Sequence, residues 1–253
     1  MDKMLYIAMS GAKENFNGIS VHGNNLANAS TTGFKADLGQ ARAMNVYGEG
    51  LQSRAFSMTE RAGYNLDLGT VMTTGRALDV CVKGDGFIAV KGTDAQEGYT
   101  RNGSLQIDAD GVLRNSSGLA VLSPEGEEIV LPMPLEKIQI NKDGVISGRP
   151  EGAGPEVIEE FGQIKLVKID PKTLVKGSDG LFRSSLTRND IYNNVPQDPE
   201  VELLGGVLES SNVNVVEEMT SLIRLQRQFD MQLKLMETAK DIDESQTSLL
   251  RLS

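Results

Sequence analysis

VVEEMTSLIRLQRQFDMQLKLM, residues 215–236, places its seam positions at Val215, Met219, Leu222, Gln226, Phe229, Leu233 and Met236. The spacing alternates four and three, the repeat of a helix that pairs lengthwise with another. Asn214 stands in front as an N-cap, and Glu217 follows three residues on, as in a capping box. Glu217 and Glu218 then fall in the first turn, where the helix dipole favours negative charge. No Gly or Pro occurs after Gly206, so nothing breaks the helix before Ser253. Roughly 38 residues at about 1.5 Å each predict a rod near 57 Å, far longer than an average globular helix. Past Met236 the stripe continues through Ala239, Ile242 and Leu249 with some drift.

The other end of the chain carries a second stripe, at Leu5, Ala8, Ala12, Ile19 and Leu26. It predicts a helix from about Asp2 to Asn28, ended by Asn28-Ala29-Ser30-Thr31-Thr32-Gly33, since Asn, Ser and Gly favour caps and turns. The stripe is narrow: Asn15 and His22 interrupt it, and Phe16 stands beside it. A helix of that kind is marginal alone in water, because helical stability comes mostly from packing an apolar face.

Between the arms the signal changes. Residues 36–75 are cut into short pieces by Gly48, Gly50, Gly63 and Gly69, with a strand expected around Leu66–Thr73. From Ala77 to Gly148 the pattern is β. Leu78, Val80 and Val82 alternate with Asp79, Cys81 and Lys83, Asp85-Gly86 reads as a hairpin, and Phe87-Ile88-Ala89-Val90 as a buried strand. Turn pairs recur at Asn102-Gly103, Asp110-Gly111, Ser117-Gly118, Asp143-Gly144 and Asp179-Gly180. Short strands punctuated in this way predict a small barrel or sandwich. Loops are expected at 149–155 and 196–199, and a strand over 162–170 that pairs with the segment after residue 36. The fold class is therefore α+β, with terminal helices packed as a coiled-coil-like pair and a central, mostly antiparallel β body.

Composition narrows the function. Of the 253 residues 39% are apolar and 5% aromatic, with no Trp, so the core is lean. A net charge of −10 argues against nucleic acid and against an anionic membrane surface, and serves solubility. No stretch of about 20 apolar residues predicts a transmembrane span. The apolar run Met4–Met9 is shorter than the ~7–15 residues of a secretory h-region, and Lys13, Glu14 and Asn15 follow soon after. It reads as the first turns of a mature helix, so export without a cleaved signal peptide is the expectation.

The residues for catalysis or metal binding are thin. His22 is the only histidine and Cys81 the only cysteine, which permits no His-based triad and no His/Cys metal site. Cys81, between Val80 and Val82, reads as a buried small hydrophobe. Asp108-Ala109-Asp110-Gly111 lacks the later Glu of a calcium loop, and Gly84-Asp85-Gly86 lacks the Lys-Ser/Thr of a phosphate loop. No cofactor, no metal and no enzymatic activity are expected.

The helical stripes admit two occupants. The arms can pair with each other, but two helices bury little beyond one seam. Ile223 and Leu225 on the long arm, and Met4 and Ile7 on the short one, would remain as exposed apolar flank, the mark of an interaction site. Met219, Met231 and Met236 suit partners that are not identical. The expected interface is Leu5, Ala8, Ala12, Ile19, Leu26, Val215, Met219, Leu222, Phe229, Leu233, Met236, Ile242 and Leu249. A soluble binding module that dimerises through a coiled coil is the alternative from another class.

Three motifs in order carry a family resemblance. Asn24-Asn25-Leu26-Ala27-Asn28-Ala29-Ser30-Thr31-Thr32-Gly33-Phe34-Lys35 closely resembles the N-terminal signature of the bacterial flagellar axial proteins, the rod and hook family. Gly206 to Met219 resembles that family's C-terminal segment, and Tyr99-Thr100-Arg101-Asn102-Gly103-Ser104 its central β domain. Within the family, Phe229-Asp230-Met231-Gln232-Leu233-Lys234 is similar to the proximal rod members, while Asn212–Met219 also fits the distal ones. The resemblance implies a structural subunit of the hollow basal-body rod across the periplasm. It implies stacking against other copies and other rod proteins through the terminal helices, and export through the flagellar type III apparatus. It also implies three parts: a helical inner-tube domain (1–35 and 208–253), a connecting β-rich domain (36–76 and 162–207) and an outer β domain (77–161).

Overall fold

A computed structural model describes residues 2–45, 55–59, 63–152, 158–185 and 194–251; the side chains of residues 2–4, 59, 246 and 248–251 lie outside the described set. The fold is α+β. Helix α1 spans Asp2–Ala27 and helix α2 spans Val215–Arg251, with short strands between them. Every strand pairing among the described residues is antiparallel. The chain divides into two compact units.

The helical unit comprises Met1–Ser30, Lys35–Asp67 and Asn212–Ser253. In it, Asn214 caps α2 as the sequence predicts: its Oδ1 accepts the N–H groups of Val216 at 3.1 Å and Glu217 at 3.4 Å. Glu217 and Glu218 occupy the acidic first turn. Alongside the helices, Ala41–Asn45 pairs with Ala55–Thr59, and Asp37–Leu38 with Gly63–Tyr64.

The β unit comprises Thr31–Phe34 and Leu68–Ser211. Its largest sheet has five strands in the order Leu166–Lys168, Gly86–Lys91, Glu97–Thr100, Phe182–Ser184, Leu174–Lys176. Around it sit Leu135–Ile140, Val145–Pro150 and Glu159–Gln163 in a three-stranded sheet, and two-stranded pairs such as Leu105–Ile107 with Leu113–Asn115. Val80, Ile88, Val90, Leu105, Leu113, Val121, Ile146, Ile164 and Leu166 form the core. Gly111, Gly144 and Gly180 turn their hairpins at φ of 80°, 79° and 79°, values that suit glycine.

Two local expectations are corrected. Val80–Lys83 and Gly86–Lys91 are not partners in a hairpin across Asp85-Gly86; Val80–Lys83 pairs with Glu202–Gly205 instead. The carbonyls of Val82, Gly84 and Gly86 are taken by the Arg101 guanidinium at 2.9, 2.8 and 2.7 Å, which turns the bend into a socket. Secondly, Leu166–Lys168 pairs with Gly86–Lys91, and Glu159–Gln163 with Val145–Pro150, not with the segment after residue 36. The run Phe87-Ile88-Ala89-Val90 is buried throughout. A strand buried on both faces needs ladder partners on both sides, and Leu166–Lys168 and Glu97–Thr100 supply them. Near the expected strand Leu66–Thr73, only Val71–Thr73 is a strand, paired with Val207–Glu209. The loop expected at 149–155 falls partly outside the described residues.

Candidate assembly interface

The two helices lie antiparallel in one register. A Cβ added at Gly11 would meet Gln232 Nε2 at 3.0 Å, and one added at Gly18 would meet Leu225 Cδ1 at 3.0 Å. Seven residues further along α1, Asn25 Nδ2 donates to Glu218 Oε1 at 3.1 Å. Each step of seven along α1 is thus matched by seven back along α2. Close approach explains the two glycines: with no Cβ they let the facing side chains reach the α1 backbone.

This register splits the residues expected at the interface. Ala8 and Ala12 are buried, and Ile19, Leu26, Leu222, Phe229 and Met236 are half-buried. Leu5, Val215, Met219, Leu233 and Ile242 are exposed; the side chain of Leu249 lies outside the described set, as does that of Met4. Leu225, expected as exposed flank, is half-buried against Gly18, and Ile7 is half-buried as well. The row of α2 that meets α1 runs through Glu218, Leu225 and Gln232, and Ala239, the next step of seven, is buried too. Its polar members hide it from a search for apolar stripes; the visible signal is the seven-residue spacing of Gly11, Gly18 and Asn25.

The helical unit leaves much apolar surface open. Phe16 is 63% and Val216 73% exposed; Tyr6, Met9, Ile223, Met231 and Leu235 are exposed too, as are Met44 and Met58 on the strand pair. Beside the helices runs a groove of about 670 Å³ whose lining includes Val21, Leu225, Met231 and Leu235.

Polar contacts hold each unit at its ends. Asn25 is 1% exposed and clasps the Asp37 backbone, donating to its carbonyl at 2.9 Å and accepting its N–H at 2.8 Å. Its neighbour Glu218 also pairs with His22 Nδ1. Asn212 accepts the Ala36 N–H at 2.9 Å and donates to the carbonyls of Asn65 and Asp67 at 2.9 and 3.0 Å. Lys35 Nζ reaches the same Asp67 carbonyl at 2.6 Å. In the β unit, Arg101 Nε donates to Glu209 Oε2 at 2.6 Å, with both side chains buried. Glu209 also receives the N–H of Gly69 on its other carboxylate oxygen and the N–H of Gly33 on its carbonyl. Thr32 Oγ1 bonds Asn102 Oδ1 at 2.8 Å. Gly33 has φ 68°, and a Cβ there would lie 2.3 Å from the Arg101 carbonyl, so only glycine fits. The three sequence motifs are therefore bonding partners: Asn25 bonds Glu218, and Ala36, just past the first motif, bonds Asn212 in one unit, while Thr32 bonds Asn102, and Gly33 and Arg101 both bond Glu209 in the other.

Among the described residues no group of three His, Cys, Asp or Glu could hold a metal ion, and no helix is long and apolar enough to cross a membrane.

Comparison with known proteins agrees along the whole length. The model of the flagella basal body rod protein family matches residues 5–35, that of the flagellar hook protein FlgE/F/G D1 domain residues 81–148, and that of the flagellar basal body rod FlgEFG protein C-terminal region residues 204–249. The flagellar basal-body rod protein FlgF of Escherichia coli strain K12 is 38% identical, and that of Salmonella typhimurium 37%, each over the full length of both chains. The rod protein FlgG of Bacillus subtilis is 30% identical over 99% of this chain and all of its own.

Proposed function

The chain belongs to the flagellar basal-body rod protein family and is a structural subunit of that rod, and we propose that it occupies the proximal part and polymerises there through its terminal helices. Identity of 38% and 37% to two FlgF proteins over the full length, against 30% to the FlgG of Bacillus subtilis, supports the proximal position. The observation that carries the polymerisation is the double-sided character of the helix pair. One row of α2 faces α1, and a second, apolar row through Val215, Val216, Met219 and Ile223 faces outward. Contiguous exposed apolar surface of this kind marks a binding site. Its occupants are other copies and neighbouring rod proteins, packed as coiled-coil-like helices into the inner tube of a hollow shaft that carries torque from motor to hook. The subunit reaches the periplasm through the flagellar type III export apparatus, and it catalyses no reaction.

Deletion of residues 213–253 tests the proposal by rod assembly and motility. A rod subunit loses both. An intact basal body with normal swimming would favour a soluble coiled-coil module instead.

A further inference from the structure

The seam between α1 and α2 holds two glycine seats that a seven-residue slide of α2 would not close. Gly11 and Gly18 are equivalent seats one heptad apart, filled by Gln232 and Leu225. Slide α2 by seven residues and Gln232 would enter the seat at Gly18, while the small Ala239 would enter the seat at Gly11. Ala239 is smaller than Gln232, and Gln232 is close in length to Leu225, so neither glycine seat is sterically closed to the slid alignment. What differs is the last step. In the observed register buried Asn25 bonds Glu218 Oε1 at 3.1 Å, and Glu218 Oε2 pairs with His22 Nδ1. After the slide Asn25 would face Leu225, and Glu218 would have moved beyond both of its α1 partners. Leaving a buried amide without that acceptor, and a carboxylate without its donors, is costly. A single polar position in a helix seam is a known means of fixing register at some cost in stability.

We propose that Glu218, Asn25 and His22 form the register lock of the helix pair, selecting one among heptad-related alignments that the two glycine seats would admit. The lock fixes how far the outward row of α2 is displaced along α1. On the rod-subunit reading, it therefore sets the surface that a neighbouring subunit meets; the lock itself does not depend on that reading.

Cysteine pairs in the full-length chain report the register. Gly11→Cys with Gln232→Cys reads the observed alignment, and Gly18→Cys with Gln232→Cys the slid one. Cys81 is buried and does not compete. With the lock intact, intramolecular cross-linking of the first pair should exceed that of the second by at least about tenfold, as one dominant register demands. In the Asn25→Ala, Glu218→Ala background that excess should shrink to about threefold or less. Glu218→Gln should keep it, since the amide oxygen still accepts from Asn25. An unchanged excess in the double-alanine background would overturn the proposal and assign the register to the Asn212 bracket. Loss of both cross-links there would also overturn it, making the cluster an adhesive and not a selector. So would absence of the 11/232 cross-link in the chain with an intact lock. None of these outcomes depends on swimming, so a motile deletion strain would overturn the rod reading separately.

Discussion

Arg101 directs all three guanidinium nitrogens into the β unit, three bonds to carbonyls of residues 82–86 and one to Glu209. Removing one partner of such a buried pair leaves an uncompensated charge, at about 3–5 kcal/mol. Arg101→Ala should destabilise the β unit by that order in denaturant unfolding. Arg101→Lys should rescue little, because a compact ammonium cannot replace the planar fork. Asp179 makes a pH prediction at the same scale. It accepts from Arg183 at 3.0 and 2.7 Å, and these bonds hold its carboxyl below the ordinary 3.8 against the opposing effect of partial burial. Because the folded value is the lower one, the stabilisation is complete above the ordinary value and fades as pH falls through the folded one. Asp179→Asn should therefore flatten the loss of β-unit stability below about pH 4, read as urea midpoints across pH.

At the scale of elements, the exposed row of α2 can be tested apart from the buried one. Met219→Asp should change stability by about 0.5 kcal/mol or less, as exposed positions do, yet abolish motility. Normal swimming would remove that row from the interface. Both helices and their caps were legible in sequence because a 3.5-residue repeat and an Asn cap are local signals. Half of the α2 seam was not. A search for apolar residues selects Val215, Met219 and Leu233, whereas α1 is met by Glu218 and Gln232, whose fitness lies in partners near the other end of the chain. The same holds for the strands. Turn pairs located the hairpins at Asp110-Gly111, Asp143-Gly144 and Asp179-Gly180, but at Asp85-Gly86 the carbonyls bond a distant arginine, which no local pattern announces. The family motifs were legible as strings, and their mutual contacts only as structure.

At the scale of the whole molecule, the bonds that close each unit join residues far apart in the chain. Arg101 and Glu209 are 108 positions apart, and His22 and Glu218 are 196. Strand Glu202–Gly205 closes on Val80–Lys83, so the β unit draws on its last ten residues to complete a sheet begun far earlier. Chains stopped at residue 200 should lack a protease-resistant β unit, whereas chains extending to 211 should have one; equal resistance would refute the dependence on that strand. For a polypeptide delivered amino end first, whether by a ribosome or through a narrow conduit, this ordering acts as a delay. The socket of Arg101 stands empty of its carboxylate until the final fifth of the chain arrives, which keeps the thread slack for most of its passage and lets it set only when nearly all of it has emerged.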